Sequence, residues 1–404
     1  MNQPVYPRTR AQRAAAPLGL PDPGSDAAAH SARLSALLRR EMDGNGGAIS
    51  FARFMEMALY APGLGYYSGG SRKFGAEGDF VTAPEISPLF SRCIARQAHQ
   101  VLEVLGDDGV IVEAGAGSGV MAAEVLLELE RLNGLPRSYF ILELSAELRE
   151  RQRATLQCSA AHLLERVEWL DTQPQSPLRG VVLANELLDA MPVHLFRVGE
   201  HGAEELFVTY DEDGFHWRCA PVSNRPLEER LQRITSSLPD GYQSEIGLAA
   251  ERWLHTVGTL LEEGVILLID YGFPEHEFYH PQRNGGTLMC HYRHRAHPDP
   301  LILPGLQDIT CHVNFTALAE TATAAGLELY GYTTQAHFLL ATGLEQALRE
   351  MPDGLPDRLR LSQQVRTLTM PQEMGELFKV MAVGRGLAEI PLQGFMLRDL
   401  RGKL

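Results

Sequence analysis

The sequence contains no apolar stretch approaching the roughly 20 residues that an α-helix needs to cross a bilayer. It has only five cysteines, none of them paired as Cys-x-x-Cys, and this odd, scattered set predicts free thiols in a reducing compartment. Its 36 Lys and Arg residues are outnumbered by 51 Asp and Glu residues, for a formal net charge of −15. That balance argues against a broad basic surface for nucleic acid. We therefore predict a cytoplasmic protein with no membrane span and no nucleic-acid partner.

The N-terminal residues differ in composition from the remainder. Residues 1–24 are rich in Arg, Ala and Pro, and Asp22 is their only acid. Such a composition predicts a disordered tail, which we place at residues 1–30. A mitochondrial targeting sequence is the alternative interpretation.

Short apolar runs alternate with helical periodicity in the middle of the chain. The predicted strands cover residues 109–115, 138–144, 167–171, 180–186 and 264–272, with helices at 120–132 and 145–156. Strand–helix alternation of this kind predicts an α/β fold with a mostly parallel, doubly wound sheet. Residues 193–222 instead alternate apolar and polar side chains between turns, which predicts an antiparallel meander.

The stretch VEAGAGSGVM, residues 112–121, predicts a cofactor-binding turn. Gly115, Gly117 and Gly119 follow a strand and precede a helix, so a ligand can approach the backbone and the free N–H groups of the helix. The spacing is not the G-x-G-x-x-G of dinucleotide sites, and the phosphate-loop Gly-Lys-Ser/Thr is absent. Glu113 would repel a pyrophosphate and attract a cation. The pattern therefore favours S-adenosylmethionine, a sulfonium without phosphate, over NAD.

Two acids follow the next strands. Glu143 ends the second strand, where a carboxylate can accept hydrogen bonds from both ribose hydroxyls. Asp171 ends the third strand and could reach the adenine edge, or it could be a solvated strand end. We predict Glu143 and Asp171 as cofactor-binding residues.

The stretch LANELLDAMP predicts a second set of polar groups at the same edge of the sheet. It places Asn185, Glu186 and Asp189 after a buried strand, and ligands bind outside the carboxyl ends of such strands. Two carboxylates beside a methyl donor suit a cationic acceptor such as a guanidinium. One of them could instead be a general base for a hydroxyl, and Asp189 could simply compensate a helix dipole. We predict Glu186 and Asp189 as catalytic and Asn185 as cofactor-binding.

A histidine-rich loop follows the last of these strands. His291, His294 and His297 recur at three-residue spacing, with His312 further on. No cysteine pair or His-Glu-His set accompanies them, and nearby arginines would oppose a cation, so we predict no metal site. We expect the loop to line the substrate cleft, where Tyr271 or His312 could contact the acceptor.

Several longer motifs together resemble one family, the MidA-like methyltransferases, which include mitochondrial complex I assembly-factor protein arginine methyltransferases and bacterial relatives. The resemblance covers about residues 31–386. The motifs that carry it are ALYAPGLGYYSGG, GDFVTAPEISPLF, VEAGAGSGVM, LANELLDAMPVHLF, LLIDYG and GTLMCHYRHRAHPDPLILPGLQDITCHVNFTAL.

The resemblance implies a Rossmann-like, seven-stranded fold that uses S-adenosylmethionine. It implies an N-terminal helical cap at 31–106, a core at 107–192 and 264–404, and an inserted lobe at 193–263. The implied activity is arginine methylation of a protein such as a complex I core subunit, in the cytoplasm or, for a eukaryotic chain, the mitochondrial matrix.

Residue by residue, the resemblance places Thr82, Pro84 and Glu85 in a cap segment that closes over the cofactor. Known arginine methyltransferases of other families hold the guanidinium with two glutamates in one loop. Here the loop offers Glu186 and an aspartate, so Asp189 or Glu85 must take the second part. A non-catalytic assembly factor that binds S-adenosylmethionine, and a small-molecule O- or N-methyltransferase, are the alternatives.

Overall fold

The computed structural model describes residues 19–69, 81–172, 174, 176–351, 355–387 and 390–404. The chain divides into two compact units. We call residues 81–188, 252–274 and 314–404 the core unit. Residues 19–69, 189–251 and 275–313 are the described part of the lobe unit. Most of the predicted tail, residues 1–18, lies outside the described residues. The prediction of disorder was wrong for residues 25–30, which form the start of the helix Ser25–Gly44.

The helices and strands are numbered here in chain order. The helices are α1 (Ser25–Gly44), α2 (Phe51–Tyr60), α3 (Ala83–Ile86), α4 (Pro88–Leu105), α5 (Val120–Arg131), α6 (Ala146–Ser159), α7 (Arg225–Ile234), α8 (Leu248–Leu260), α9 (Glu275–Phe278), α10 (Phe315–Ala324), α11 (Gln335–Ala341), α12 (Leu344–Arg349), α13 (Leu355–Thr369) and α14 (Met374–Leu377). The strands are β1 (Ala48–Ser50), β2 (Val110–Ala114), β3 (Tyr139–Leu142), β4 (Val167–Leu170), β5 (Leu178–Asn185), β6 (His194–Gly199), β7 (Gly202–Asp211), β8 (Gly214–Ala220), β9 (Gln243–Ile246), β10 (Leu261–Phe273), β11 (Met289–Tyr292), β12 (Arg295–His297), β13 (Asp308–Thr310), β14 (Val313–Asn314), β15 (Glu328–Thr334) and β16 (Phe378–Arg385).

Seven strands of the core unit lie side by side in one sheet in the order β15-β16-β10-β5-β2-β3-β4, and the two-residue strand β14 also pairs with β10. The five strands from β10 to β4 are parallel, and β16 runs antiparallel to both of its neighbours. Strand β5 can lie at the centre because its residues 180–184, GVVLA, are buried and carry no charge. The predicted seven-stranded α/β fold is confirmed. The carboxyl ends of β2, β3, β4, β5 and β10 share one edge of the sheet, where ligands bind in such folds.

The lobe unit contains two antiparallel sheets. One has the order β1-β7-β6-β9, with β8 paired to β7, and confirms the meander predicted at residues 193–222. The other is a small sheet of β12, β11 and β13. Apolar side chains of α1 and α2 pack with those of β6, β7 and β13 in a single cluster.

The borders of the units differ from the predicted ones. Residues 81–106, assigned to the cap by sequence, belong to the core unit because α4 packs on α5 and β5. Residues 275–313, assigned to the core, belong to the lobe unit because Leu288, Cys290 and Ile309 pack in the apolar cluster of α1 and α2. Residues 252–263, assigned to the lobe, fall in the core unit. Among the described helices, none is both long and apolar enough to cross a membrane.

Candidate active site

The glycine turn connects β2 to α5 in the core unit. Gly115, Gly117 and Gly119 have φ angles of 71°, 53° and 83°, the left-handed region that favours glycine. A Cβ atom at Gly115 would lie 2.9 Å from Cδ1 of Leu187, and one at Gly119 would lie 3.0 Å from Cα of Gln152. Helix α5 receives no side-chain cap from Gly119. The first N–H groups of this helix are therefore suited to bind a ligand that approaches the turn.

Glu113 is buried in β2, directly before the turn. Its Oε2 accepts a hydrogen bond of 2.6 Å from the hydroxyl of Tyr139 on the neighbouring strand. Burial raises the pKa of Glu113 to about 7, the Tyr139 hydrogen bond opposes the rise, and the charge of Glu143 adds to it. The predicted acid is therefore part of the interior beneath the turn.

Glu143 follows β3 and is held on both carboxylate oxygens. Its Oε1 accepts from the backbone N–H of Ser145 at 2.9 Å, and its Oε2 accepts from Nε2 of Gln152 at 3.1 Å. Burial raises the pKa of Glu143, while these two hydrogen bonds and the nearby Arg149 lower it. The donors fix the carboxylate at the sheet edge where a ribose acid is expected.

Gln152 was not predicted from the sequence. It lies between Leu148 and Leu156 on the buried face of α6, one helical turn from each. The sequence did contain a signal for it, since Leu148, Gln152 and Leu156 follow one another at four-residue spacing and so share the buried face of the helix. A buried amide is expected to have hydrogen-bond partners, which makes a glutamine on such a face a candidate for a structural or functional role.

Asp171 lies one residue beyond β4 and is 75% exposed. It forms an ion pair with Arg149, whose Nε also donates to the carbonyl oxygen of Glu143 at 2.7 Å. Arg149 thus ties together the ends of β3 and β4.

Asn185 and Glu186 end β5. The φ of Glu186 is 49°, and its backbone N–H donates to the carbonyl of Ile269 at 2.9 Å. Its Oε1 accepts from the N–H of Ala83 at 3.0 Å and from Nδ2 of Asn185 at 3.2 Å. The Oδ1 atom of Asn185 is buried and has no hydrogen-bond partner among the described residues. Such an atom is suited to accept a hydrogen bond from a ligand, because leaving it unpaired costs about 1–3 kcal/mol.

The segment containing Thr82, Pro84 and Glu85 forms α3 in the core unit. Thr82 precedes the helix but makes no side-chain cap, and the Glu186 carboxylate accepts the Ala83 N–H instead. Glu85 Oε1 accepts a hydrogen bond from the hydroxyl of Ser118 in the glycine turn. This segment therefore contacts both the glycine turn and the end of β5. Residues 78–80 of its motif lie outside the described residues.

Asp270, a buried acid of β10, was also not predicted. Its Oδ2 accepts from the N–H of Leu188 at 3.0 Å, and its Oδ1 accepts from the N–H of Tyr271 at 2.9 Å. The ring of Tyr271 packs edge-on against Phe378, with centroids 5.3 Å apart. Asp270 thus holds the chain that follows Glu186.

Asp189 and His312 belong to the lobe unit. Asp189 is 5% exposed, and its carbonyl oxygen accepts from the N–H of Cys311 at 3.0 Å. The N–H of His312 donates to Oγ1 of Thr287 at 2.9 Å. The other predicted site residues lie in the core unit. Of the two predicted catalytic acids, the core unit therefore contains only Glu186.

The histidine-rich loop forms β11, β12 and the turn between them. Arg293 and His294 occupy the turn with φ angles of 47° and 60°. Within the described residues, no group of three or more His, Cys, Asp or Glu side chains is arranged to hold a metal ion.

Comparisons with known proteins place this site in context. A family model described as "Putative S-adenosyl-L-methionine-dependent methyltransferase" matches residues 93–333, more than half of the chain. The chain is similar to a Burkholderia thailandensis protein whose crystal structure contains S-adenosyl-homocysteine. The TM-score is 0.90 at 45% identity, and the match covers 96% of this chain and 100% of that one.

The chain is also similar to proteins from two animals. Protein arginine methyltransferase NDUFAF7, mitochondrial, of Rattus norvegicus is 28% identical over 366 residues, 83% of this chain and 81% of the relative. The Caenorhabditis elegans homolog is 26% identical over 386 residues, 83% of each protein.

Proposed function

Because this chain belongs to the family of S-adenosyl-L-methionine-dependent methyltransferases, we propose that it methylates an arginine side chain of a partner protein. Membership confirms the predicted enzyme class and its cofactor. Arginine is supported by the names of the relatives, which are protein arginine methyltransferases. The observation that carries the proposal lies at the end of β5, where the Glu186 carboxylate accepts a hydrogen bond from Nδ2 of Asn185 and the Oδ1 atom of Asn185 is buried without a partner among the described residues.

The residues of the glycine turn suit the cofactor. Gly115, Gly117 and Gly119 leave no side chain between the ligand and the backbone. The buried Oδ1 of Asn185 suits an ammonium donor, and Glu113 supplies negative charge beneath the turn when ionised. S-adenosylmethionine, when bound, supplies the electrophilic methyl group.

The neighbouring strands suit the nucleoside part of the cofactor. Glu143 would accept hydrogen bonds from ribose hydroxyls, and Asp171 would accept one from the adenine amino group. Thr82, Pro84 and Glu85 would cover the cofactor, since α3 contacts the glycine turn through Glu85.

Glu186 is the residue that would bind the guanidinium of the acceptor. A carboxylate binds a guanidinium through charge-assisted hydrogen bonds and keeps the reacting nitrogen in place. The nitrogen loses one proton on methylation, and the carboxylate can accept it. Glu85, which lies in the same unit, would supply the second acid, and Tyr271 would contact the acceptor. Positioning and electrostatics then account for most of the rate.

The partner and the compartment follow from the family resemblance. We propose a respiratory complex I core subunit as the protein substrate, and the cytoplasm or, in a eukaryotic cell, the mitochondrial matrix as the location. All five cysteines are free thiols, in keeping with a reducing compartment.

The test is Glu186→Gln. Glutamine keeps an oxygen for the Ala83 N–H but loses the charge, so S-adenosyl-homocysteine should bind within about threefold of wild type by calorimetry. Transfer of labelled methyl to protein, recovered as methylated arginine, should fall on the order of 100-fold. Glu168→Gln, which removes an exposed carboxylate from β4, is the matched control and should transfer normally.

Three outcomes contradict parts of this proposal. Wild-type protein that does not bind S-adenosyl-homocysteine contradicts the assigned cofactor site. Label recovered only in small molecules indicates a small-molecule methyltransferase. A Glu186→Gln variant that still supports assembly of the partner complex, without transfer, indicates a binding role.

A further inference from the structure

Gln152 makes three hydrogen bonds inside the core unit. Its Nε2 donates to the carbonyl oxygen of Gly117 at 3.1 Å and to Oε2 of Glu143 at 3.1 Å. Its Oε1 accepts from Nε1 of Trp169 at 2.9 Å. The side chain is fully buried. One amide therefore joins the glycine turn, the predicted ribose acid and strand β4.

The chemistry of the three partners allows only one orientation of this amide. The indole N–H of Trp169 can only donate, so it requires the oxygen of Gln152. The Gly117 carbonyl and the ionised Glu143 carboxylate can only accept, so each requires one hydrogen of the Nε2 group. Rotation of the amide by 180° would place like groups together at all three contacts. Trp169 thus sets the direction in which Gln152 donates.

The glycine turn packs directly against this residue. A Cβ atom at Gly119 would lie 3.0 Å from Cα and 3.2 Å from Cβ of Gln152. The absence of a side chain at position 119 lets α6 approach the turn closely enough for the Gly117 contact. The turn and the amide therefore form one packed arrangement.

Several charged groups influence Glu143. Arg149 lies on α6, and its charge favours the ionised carboxylate. Glu113 on β2 repels it, and Tyr139 donates to Glu113. The hydrogen bond from Gln152 favours the ionised form as well, against the effect of burial, which raises the pKa of Glu143.

We propose that Gln152 is a positioning residue for the cofactor, which fixes the Glu143 carboxylate in its ionised form and the Gly117 carbonyl in one direction. Trp169 orients Gln152 in turn. This inference rests on the proposed function, in which Glu143 accepts hydrogen bonds from the ribose. It extends the site to two residues that need not touch the cofactor or the acceptor.

The experiment is calorimetric titration of the full chain with S-adenosyl-homocysteine between pH 5.5 and 8.5. Gln152→Met keeps the length of the side chain and removes its donors. At pH 7.5 the affinity should fall at least about tenfold, the equivalent of one lost hydrogen bond to a charged group. Because the carboxylate loses a stabilising donor, its pKa should rise further. Loss of binding on acidification should then begin at a higher pH than in wild type.

Trp169→Phe tests whether Trp169 orients Gln152, and it leaves the hydrogen bond from Gln152 to Glu143 in place. Phenylalanine keeps an aromatic ring at this position but lacks the indole N–H that donates to Gln152. It also reduces the contact with the Arg153 guanidinium, which lies 4.6 Å from the Trp169 ring centroid. The affinity should fall less than in Gln152→Met, and the pH midpoint should shift in the same direction. The double variant should bind no more weakly than Gln152→Met, because both changes act through one amide.

Gln97→Met is the matched control, since Gln97 is a buried glutamine of α4 whose Oε1 accepts from the N–H of Gly394. It should lower the melting temperature without moving the pH midpoint. An unchanged midpoint and an affinity within twofold of wild type in both Gln152→Met and Trp169→Phe would overturn the inference. If Gln152→Met does not fold, Trp169→Phe alone decides. A wild-type protein that does not bind the ligand contradicts the assigned cofactor site instead.

Discussion

The hydroxyl of Tyr139 lies 2.6 Å from Oε2 of Glu113, in the protein interior, where the two residues lie on neighbouring strands that precede the glycine turn and Glu143. A carboxyl buried this deeply is more easily kept neutral, and burial raises the pKa of Glu113 to about 7. The Tyr139 donor opposes that effect, so this residue can change charge near neutral pH.

The first prediction concerns Glu113→Gln and the pH dependence of stability. The pKa of Glu113 is raised in the folded state, so its contribution is fully present below the unfolded value of 4.5 and is lost as pH rises to about 7. The unfolding free energy of the variant, relative to wild type, should therefore rise by about 3 kcal/mol between pH 4.5 and pH 8. Urea denaturation at several pH values measures it.

Glu168→Gln controls for the change in net charge, because Glu168 is exposed on β4. A relative stability of Glu113→Gln that stays constant across this range would show that the Glu113 carboxyl is not buried in the folded protein.

The second prediction compares two glycines. Gly119→Ala combines a φ of 83° with a Cβ atom 3.0 Å from Cα of Gln152, whereas Gly46→Ala has a φ of 74° and open space. Unfavourable φ alone costs about 1 kcal/mol, and the contact should add about 1–3 kcal/mol. Chemical denaturation should show this difference, and only Gly119→Ala should weaken the binding of S-adenosyl-homocysteine. Equal losses of stability would contradict the close packing of α6 on the turn.

The third prediction separates ligand binding from stability at Asn185. Asn185→Leu removes the Nδ2 hydrogen bond to Glu186, but it also removes the buried Oδ1, which has no partner among the described residues. These two effects oppose each other, so the unfolding free energy without ligand should change by less than about 1 kcal/mol. Affinity for S-adenosyl-homocysteine should fall at least about tenfold by calorimetry.

Thr333→Val is the comparison for Asn185→Leu, since the Thr333 hydroxyl is also buried without a described partner, but on the edge strand β15. It should leave the affinity unchanged. A large loss of stability in Asn185→Leu, with normal binding of S-adenosyl-homocysteine, would contradict the prediction and show that Asn185 stabilises the fold without binding the cofactor.

The sequence predicted the parts of the molecule that depend on local pattern. Strand–helix alternation indicated the sheet, and Gly115, Gly117 and Gly119 form the predicted turn between a strand and a helix. Glu143 and Asn185 could be placed at the sheet edge because the carboxyl ends of parallel strands meet there.

Other features depend on tertiary contacts and could not be predicted from local patterns in the sequence. The Glu186 carboxylate accepts from Ala83, a residue 103 positions away, and no local pattern indicates that pair. The strands of residues 275–313 have three or four residues each, too few for a period of two to be recognised. Helix α4 has an apolar face, but its sequence does not say which unit that face packs on.

Glu186 occupies a backbone conformation that suits glycine better than glutamate. At a φ of 49°, a residue with a side chain costs on the order of 1 kcal/mol or more, and a glycine there would avoid this cost. The same glycine would leave the Ala83 N–H without the carboxylate that accepts from it, so the two effects on stability oppose each other. If Glu186 binds the acceptor as proposed, a thermostabilised variant of this protein should keep glutamate at position 186 whatever its backbone cost.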